Sequence, residues 1–159
     1  MTMAGFVLGP DEGRVYEFHG STVVIKASGE DTIGQLGVLE FSYPPQLRVH
    51  PHVHDGEDEM FYLLAGELTG FCGDSQWTAR AGSFVFVPRD RLHGFTVTSS
   101  EPAKALVITG PSQLDRDEGT IVLVTAERRP MEPSHDRPGR ITVYVVIREC
   151  LPPGSPEQA

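Results

Sequence analysis

Ten consecutive residues hold the densest chemistry in this chain: His50-Pro51-His52-Val53-His54-Asp55-Gly56-Glu57-Asp58-Glu59, with three imidazoles and four carboxylates. On a β-strand, residues i and i+2 point to one side, so His52 and His54 project together. Glu59 returns to that side from the next strand, across the intervening Asp-Gly turn. Imidazole nitrogens with one carboxylate make a borderline-hard divalent metal site, the ligand set expected for iron, nickel, cobalt, manganese or zinc. A further histidine, His93, follows in a strand-like context. Such a centre does more than stabilise the fold only where a coordination position stays open.

The elements that must position these groups are short strand-like runs separated by turn residues. Arg14–Phe18 and Thr22–Ala27 flank a hairpin turn at His19-Gly20-Ser21. Leu36–Ser42, Arg48–His54, Glu59–Ala65, Glu67–Cys72, Gln76–Arg80, Ser83–Val87, Leu92–Thr98 and Lys104–Thr109 follow, then Ile121–Thr125 and Ile141–Arg148. About a dozen strands at near-regular spacing predict an all-β sandwich or barrel, with 17 glycines and 13 prolines available for its turns. Helix signals are confined to Ser112–Asp117, where Ser112 can serve as N-cap. The expected organisation is N-terminal strands packing on the barrel (1–35), the barrel core (36–110), a helical turn, loop and C-terminal strands (111–150), and a tail (151–159). Within the third part, 127–140 reads as an exposed, proline-interrupted loop. The apolar run Ile141–Ile147 needs cover, either as an edge strand of the sheet or against a second subunit, so a homodimer is expected.

Composition narrows the class. A chain of 159 residues fits one domain, and 39% hydrophobic with 22% charged residues is ordinary for a soluble globular protein. The net charge of −9 and the scatter of Lys and Arg argue against nucleic acid and against an anionic membrane surface. Cys72 and Cys150 lie far apart without CxxC spacing, so both read as small buried hydrophobes in a reducing compartment. Neither a signal-peptide pattern at the N-terminus nor a run of about 18 apolar residues is present, and a cytoplasmic location is expected.

Two spaced segments resemble the double motif of the cupin superfamily. The first motif reads HxH, three or four residues, Glu, six residues, Gly; here these are His52, His54, Glu59 and Gly66. The second reads Gly, five residues, Pro, x, Gly, two residues, His; here Gly82, Pro88, Asp90 in place of the glycine, and His93. The wording around both motifs is similar to single-domain cupins related to quercetin dioxygenases. The resemblance covers residues 36–110. It implies a double-stranded β-helix, the jelly-roll barrel, and metal ligands His52, His54, Glu59 and His93. Three positions depart from the pattern: Gln46 and Asp90 stand where glycines are expected, and Val97 replaces a terminal asparagine.

His50-Pro51-His52 with Glu57 also satisfies the first spacing, but that register ends on Leu64 where the preferred one ends on Gly66. In the preferred register, alternation puts Arg48 and His50 on the face of His52, with His50 at the barrel mouth. There it is either a substrate contact or a solvated rim histidine. Glu57 and Asp58 read as a solvated turn, and His19 and His135 as exposed. Phe61 and Leu63 share the face of Glu59, and Phe95 that of His93, so these apolar groups with His50 are the substrate-lining candidates. Phe84 and Phe86 read equally well as barrel filler.

The resemblance implies a metal-dependent oxidoreductase of quercetinase-like dioxygenase type, binding one divalent transition metal and acting on a small aromatic or enolisable molecule. Glu59 would then act twice, as ligand and as general base. The competing readings are an isomerase or cyclase that uses no oxygen, and a non-catalytic small-molecule-binding cupin.

Overall fold

The computed structural model describes residues 4–10 and 12–112. Ten strands and one short helix follow in order: β1 (Arg14–Phe18), β2 (Ser21–Ala27), α1 (Gly29–Thr32), β3 (Gly37–Tyr43), β4 (Arg48–His52), β5 (Asp58–Ala65), β6 (Glu67–Cys72), β7 (Ser75–Arg80), β8 (Phe84–Val87), β9 (His93–Val97) and β10 (Ala103–Gly110). The strands expected at Ile121–Thr125 and Ile141–Arg148, the turn from Ser112 onward, the 127–140 loop, His135, Cys150 and the tail lie outside the described residues.

All pairings among these strands are antiparallel. One sheet has the order β1-β2-β3-β10-β5-β8 and the other β4-β9-β6-β7. This is the jelly-roll architecture expected from the sequence. The strict alternation of buried and half-buried residues along β3 and β10 shows why these segments are strands: every second side chain must find the interior. Leu39, Phe41, Tyr43, Phe61, Leu63, Ala105 and Val107 from the larger sheet meet Leu68, Ala79, Phe95 and Val97 from the smaller one. Phe95 bridges the layers, its ring 5.6 Å from Phe61 and 5.3 Å from Tyr43, both edge-on. Burying one such ring contributes about 1.5–3 kcal/mol.

Three local features differ from the sequence expectation. Helix α1 was not anticipated. Ser28 caps it, while the Asp31 carboxylate accepts from the Ser28 backbone N–H at 2.8 Å, a reciprocal capping box. Phe84 and Phe86 are not filler: they are 60% and 52% exposed. The pairing of Glu59 with Val87 sets the phase of β8, sending Val85 and Val87 toward the core and the two rings outward, beside Tyr62 and Leu64 of β5. Finally, β4 carries a register shift against β9 between Val49 and His52. Pro51 lacks the N–H that regular pairing needs, and a bulge absorbs it there.

That bulge reverses the alternation along β4. Val49 pairs with the inward-facing Phe95 and packs on the core, and His52 pairs with the buried His93. Arg48 and His50 are exposed instead of sharing the face of His52. Opposite the bulge stands Gly94, where an added Cβ would meet the Val49 carbonyl oxygen at 2.9 Å. Only glycine lets β9 come this close.

Candidate metal centre

The centre forms at one end of the sheets, where β4 ends, β5 and β9 begin, and β10 runs out. His52 is the last residue of β4 and His93 the first of β9, directly paired across the ladder. His54 lies just beyond β4, and Glu59, second residue of β5, pairs with Thr109 of β10. Three of the four ligands expected from the resemblance thus ride on strands, and the fourth on a loop two residues past a strand end.

Ring orientation is controlled from behind. His52 and His93 direct Nδ1 to the backbone carbonyls of His50 and Arg91, each at 2.8 Å. With Nδ1 carrying the proton, Nε2 is left with its lone pair free, the form a metal requires. His54 presents Nδ1 to the Glu57 carboxylate at 3.6 Å. The three Nε2 atoms and the Glu59 carboxylate then converge. His52 Nε2 lies 3.2 Å from His54 Nε2, and Glu59 Oε2 is 3.3 Å from His93 Nε2 and 3.7 Å from His54 Nε2.

The arrangement fits one ion. The four donor atoms lie within 4.8 Å of one another. Adjacent donors placed about 2.0–2.1 Å from one ion stand about 3–3.3 Å apart, close to the three short separations here, in a four-donor set that a larger coordination shell can extend. Glu59 Oε2 and His93 Nε2 are buried without a hydrogen-bond partner, although they lie 3.3 Å apart. Orphaned polar atoms of this kind are costly unless another group satisfies them. One cation between the four side chains would satisfy both.

Electrostatics prepare His52 and Glu59 for the same state, and act the other way on His54. Burial, aided by the neighbouring His93, pushes His52 down to about 4, so this imidazole is neutral at pH 7. Burial works against a charge on His54 too, but the Glu57 and Glu59 carboxylates outweigh it and raise that group. Burial alone would raise Glu59, yet contact with His93 and the charges of the surrounding imidazoles bring it below the ordinary carboxylate value. Glu59 is therefore ionised, a donor ready for a cation.

The remaining candidates are placed as follows. Phe61, Leu63 and Phe95 are buried in the core that continues inward from the centre. His50 is exposed and serves the centre through its backbone carbonyl. Sequence reasoning missed three groups. Thr109, only 3% exposed, faces Glu59 across the β5–β10 ladder and its hydroxyl has no partner. Tyr43 is buried nearby, its phenol pushed well up by burial and by the Glu59 charge. Glu57, expected in a solvated turn, is 6% exposed. Alternation marks Tyr43 and Thr109 as inward, but their nearness to Glu59 depends on strand order, which one sequence does not display.

With this geometry in view, residues 39–109 match the family model described as Cupin domain. These residues are a cupin domain. Quercetin 2,3-dioxygenase of Bacillus subtilis (strain 168) is 29% identical over 75 residues, which are 47% of this chain and 22% of that protein. The uncharacterized HTH-type transcriptional regulator YdiP of Escherichia coli (strain K12) is 32% identical over 69 residues, 43% of this chain and 23% of the relative. The chain thus spans under a quarter of the length of either curated relative. An RmlC-like cupin from Shewanella frigidimarina NCIMB 400 superposes with a TM-score of 0.61 at 15% identity, over 72% of this chain and 98% of that one. At that identity the likeness speaks for the fold. Both departures from the cupin motif glycines, Gln46 and Asp90, hold glycine-like backbone conformations, with φ of 64° and 61°. The turns survive the substitutions. Among the described residues, no helix is long and apolar enough to cross a membrane.

Proposed function

We propose that this cupin domain is a metal-dependent enzyme acting on a small aromatic or enolisable molecule, with quercetinase-like dioxygenation as its most concrete form. The observation that carries the reading is the convergence of three Nε2 atoms on one ionised carboxylate beside an aromatic interior. Partial likeness to Quercetin 2,3-dioxygenase supports the choice of reaction.

His52, His54, His93 and Glu59 would hold one divalent transition metal. Bound there, the metal supplies a Lewis acid at which an enol or phenol oxygen of the substrate loses its affinity for its proton. Glu59, ionised and buried among the donors, would serve as ligand and leave the metal to take that proton. The hydroxyl of Thr109, across the ladder from Glu59 and without a protein partner, is the group in reach to hydrogen-bond a substrate oxygen. Phe61, Leu63 and Phe95, packed in the core beneath the centre, keep water from this end of the interior. The protein is read as cytoplasmic, with Cys72 a free thiol.

The test is metal analysis of purified protein, followed by oxygen uptake over a panel of flavonols, β-diketones and other enolisable compounds. Metal-dependent oxygen consumption with one of them supports the dioxygenase. Substrate conversion without oxygen uptake replaces it with an isomerase or cyclase. Saturable binding without conversion makes the domain a small-molecule-binding module.

A further inference from the structure

Of the three histidines in the centre, His54 alone is backed by a side chain and not by a backbone carbonyl: the Glu57 carboxylate stands 3.6 Å from its Nδ1, an ion-pair distance. It also stands on a loop, outside the strands that fix His52 and His93. The group behind it, Glu57, is 6% exposed, which is unusual for a carboxylate. A chain does not bury such a charge cheaply, and the positive field of a metal centre is the kind of environment that offsets the cost.

The loop that carries both residues is tied down on the opposite side. The Asp90 backbone N–H donates to the His54 carbonyl at 2.9 Å, and the Gly56 N–H donates to the Asp90 carboxylate at 3.3 Å. One residue earlier, Arg89 grips Asp58 through two guanidinium hydrogen bonds of 3.0 and 2.8 Å. The loop between β4 and β5 is thus fastened to the turn that leads into His93, and Glu57 is fixed relative to His54.

We propose that Glu57 is a positioning residue for the metal: it holds His54 Nδ1–H so that Nε2 points inward, and it balances the second positive charge of a bound dication. The inference rests on the metal reading above. Glu59 neutralises one charge of a divalent ion by direct contact, and Glu57 neutralises the other through the imidazole. The open position of the loaded centre therefore sees little net charge. Removing the Glu57 charge has two consequences of opposite sign. The metal is held less tightly, while a small anion at the open position is held more tightly.

The experiment uses the full chain stripped of metal. Zn(II) affinity is measured by competition with a chromophoric chelator for wild type and Glu57→Gln, and azide is titrated into the Co(II)-loaded proteins by visible absorption. The expected result is a Zn(II) affinity lowered by about 10–100-fold in the variant, together with tighter azide binding. A merely structural role would weaken both. Equal Zn(II) affinities overturn the inference while leaving the metal reading intact. A wild-type protein that binds no Zn(II) or Co(II) removes the metal reading and this inference together. Should Glu57→Gln fail to fold, Glu57→Asp, which keeps the charge but draws it back from His54, takes its place: a lowered Zn(II) affinity supports the proposal, and an unchanged one overturns it.

Discussion

Removing His52 and His54 together is the most direct test of the centre, and its size can be worked out. The wild-type site offers four donors within 4.8 Å; the double alanine variant keeps only Glu59 and His93, 3.3 Å apart. Loss of groups that merely orient ligands costs about 10–100-fold in affinity, so loss of two ligands must exceed about 100-fold. A ligand that binds only the native state stabilises it by RT ln(1 + [L]/Kd), which is about 2.7 kcal/mol at a hundred times Kd. For a chain of 159 residues that corresponds to a rise in melting temperature of about 5–10 °C. At the same metal concentration the variant sits at or below its own Kd, and the gain falls to about 0.4 kcal/mol, or about 1 °C. The assay is a thermal melt of each protein with and without Zn(II) or Ni(II), with metal content measured alongside. Because each protein is its own reference, packing lost with the two rings cancels. A variant that keeps stoichiometric metal, or shows the wild-type shift, refutes the assignment of His52 and His54 as ligands.

Glu59→Gln keeps the shape of the side chain and leaves three imidazoles, so at saturating metal it should retain the ion but lose about 10²-fold or more in turnover on a confirmed substrate; near-normal turnover removes Glu59 as the base. Arg89 holds the Asp58 carboxyl down at about 2 from an ordinary 3.8. Such a group stabilises above its unfolded value and loses that contribution as pH falls through the folded one. Arg89→Gln should therefore melt below wild type near neutral pH, with the difference closing as the pH approaches about 2; a gap that persists there contradicts the ion pair as its origin. The homodimer expected from the apolar run Ile141–Ile147 remains a proposal, and the outer face of β5 and β8, where Tyr62, Leu64, Phe84 and Phe86 are 44–60% exposed, is a further surface that a second copy would cover. Sedimentation at micromolar concentration should give twice the chain mass, and a monomer would contradict the proposal.

Much of this protein was legible in its sequence because alternation and turn chemistry are local. Ten of the twelve expected strands fall among the described residues within a residue or two of their observed ends, since β3 and β10 alternate without interruption and Gly66, Gly73 and Gly82 mark turns with positive φ. The spacing of His52, His54, Glu59 and His93 also anticipated four groups that do converge. What failed has a shared cause. Facing along β4 was extrapolated through Pro51, but a bulge there inserts one residue and turns Arg48 and His50 outward. The outward rings of Phe84 and Phe86 follow from register with β5, and Thr109 reaches Glu59 through the pairing of strands fifty residues apart. Register between distant strands is a tertiary fact, and single-strand periodicity does not contain it.

The same distinction explains why the motif departures do no harm. A non-glycine residue forced to positive φ costs about 1 kcal/mol or more, and Asp bears it best because its short carboxylate can bond locally. At Asp90 that carboxylate reaches across to the Gly56 N–H, and the Asp90 N–H is taken by the His54 carbonyl. A glycine here would adopt the turn more easily, yet it would give up the side-chain bond to the loop that carries His54 and Glu57. Strand ends set where the three strand-borne ligands stand; the loop-borne one needs a fastening of its own. Asp90 provides it from the turn that precedes His93, so that two ligands distant in sequence share one rigid support.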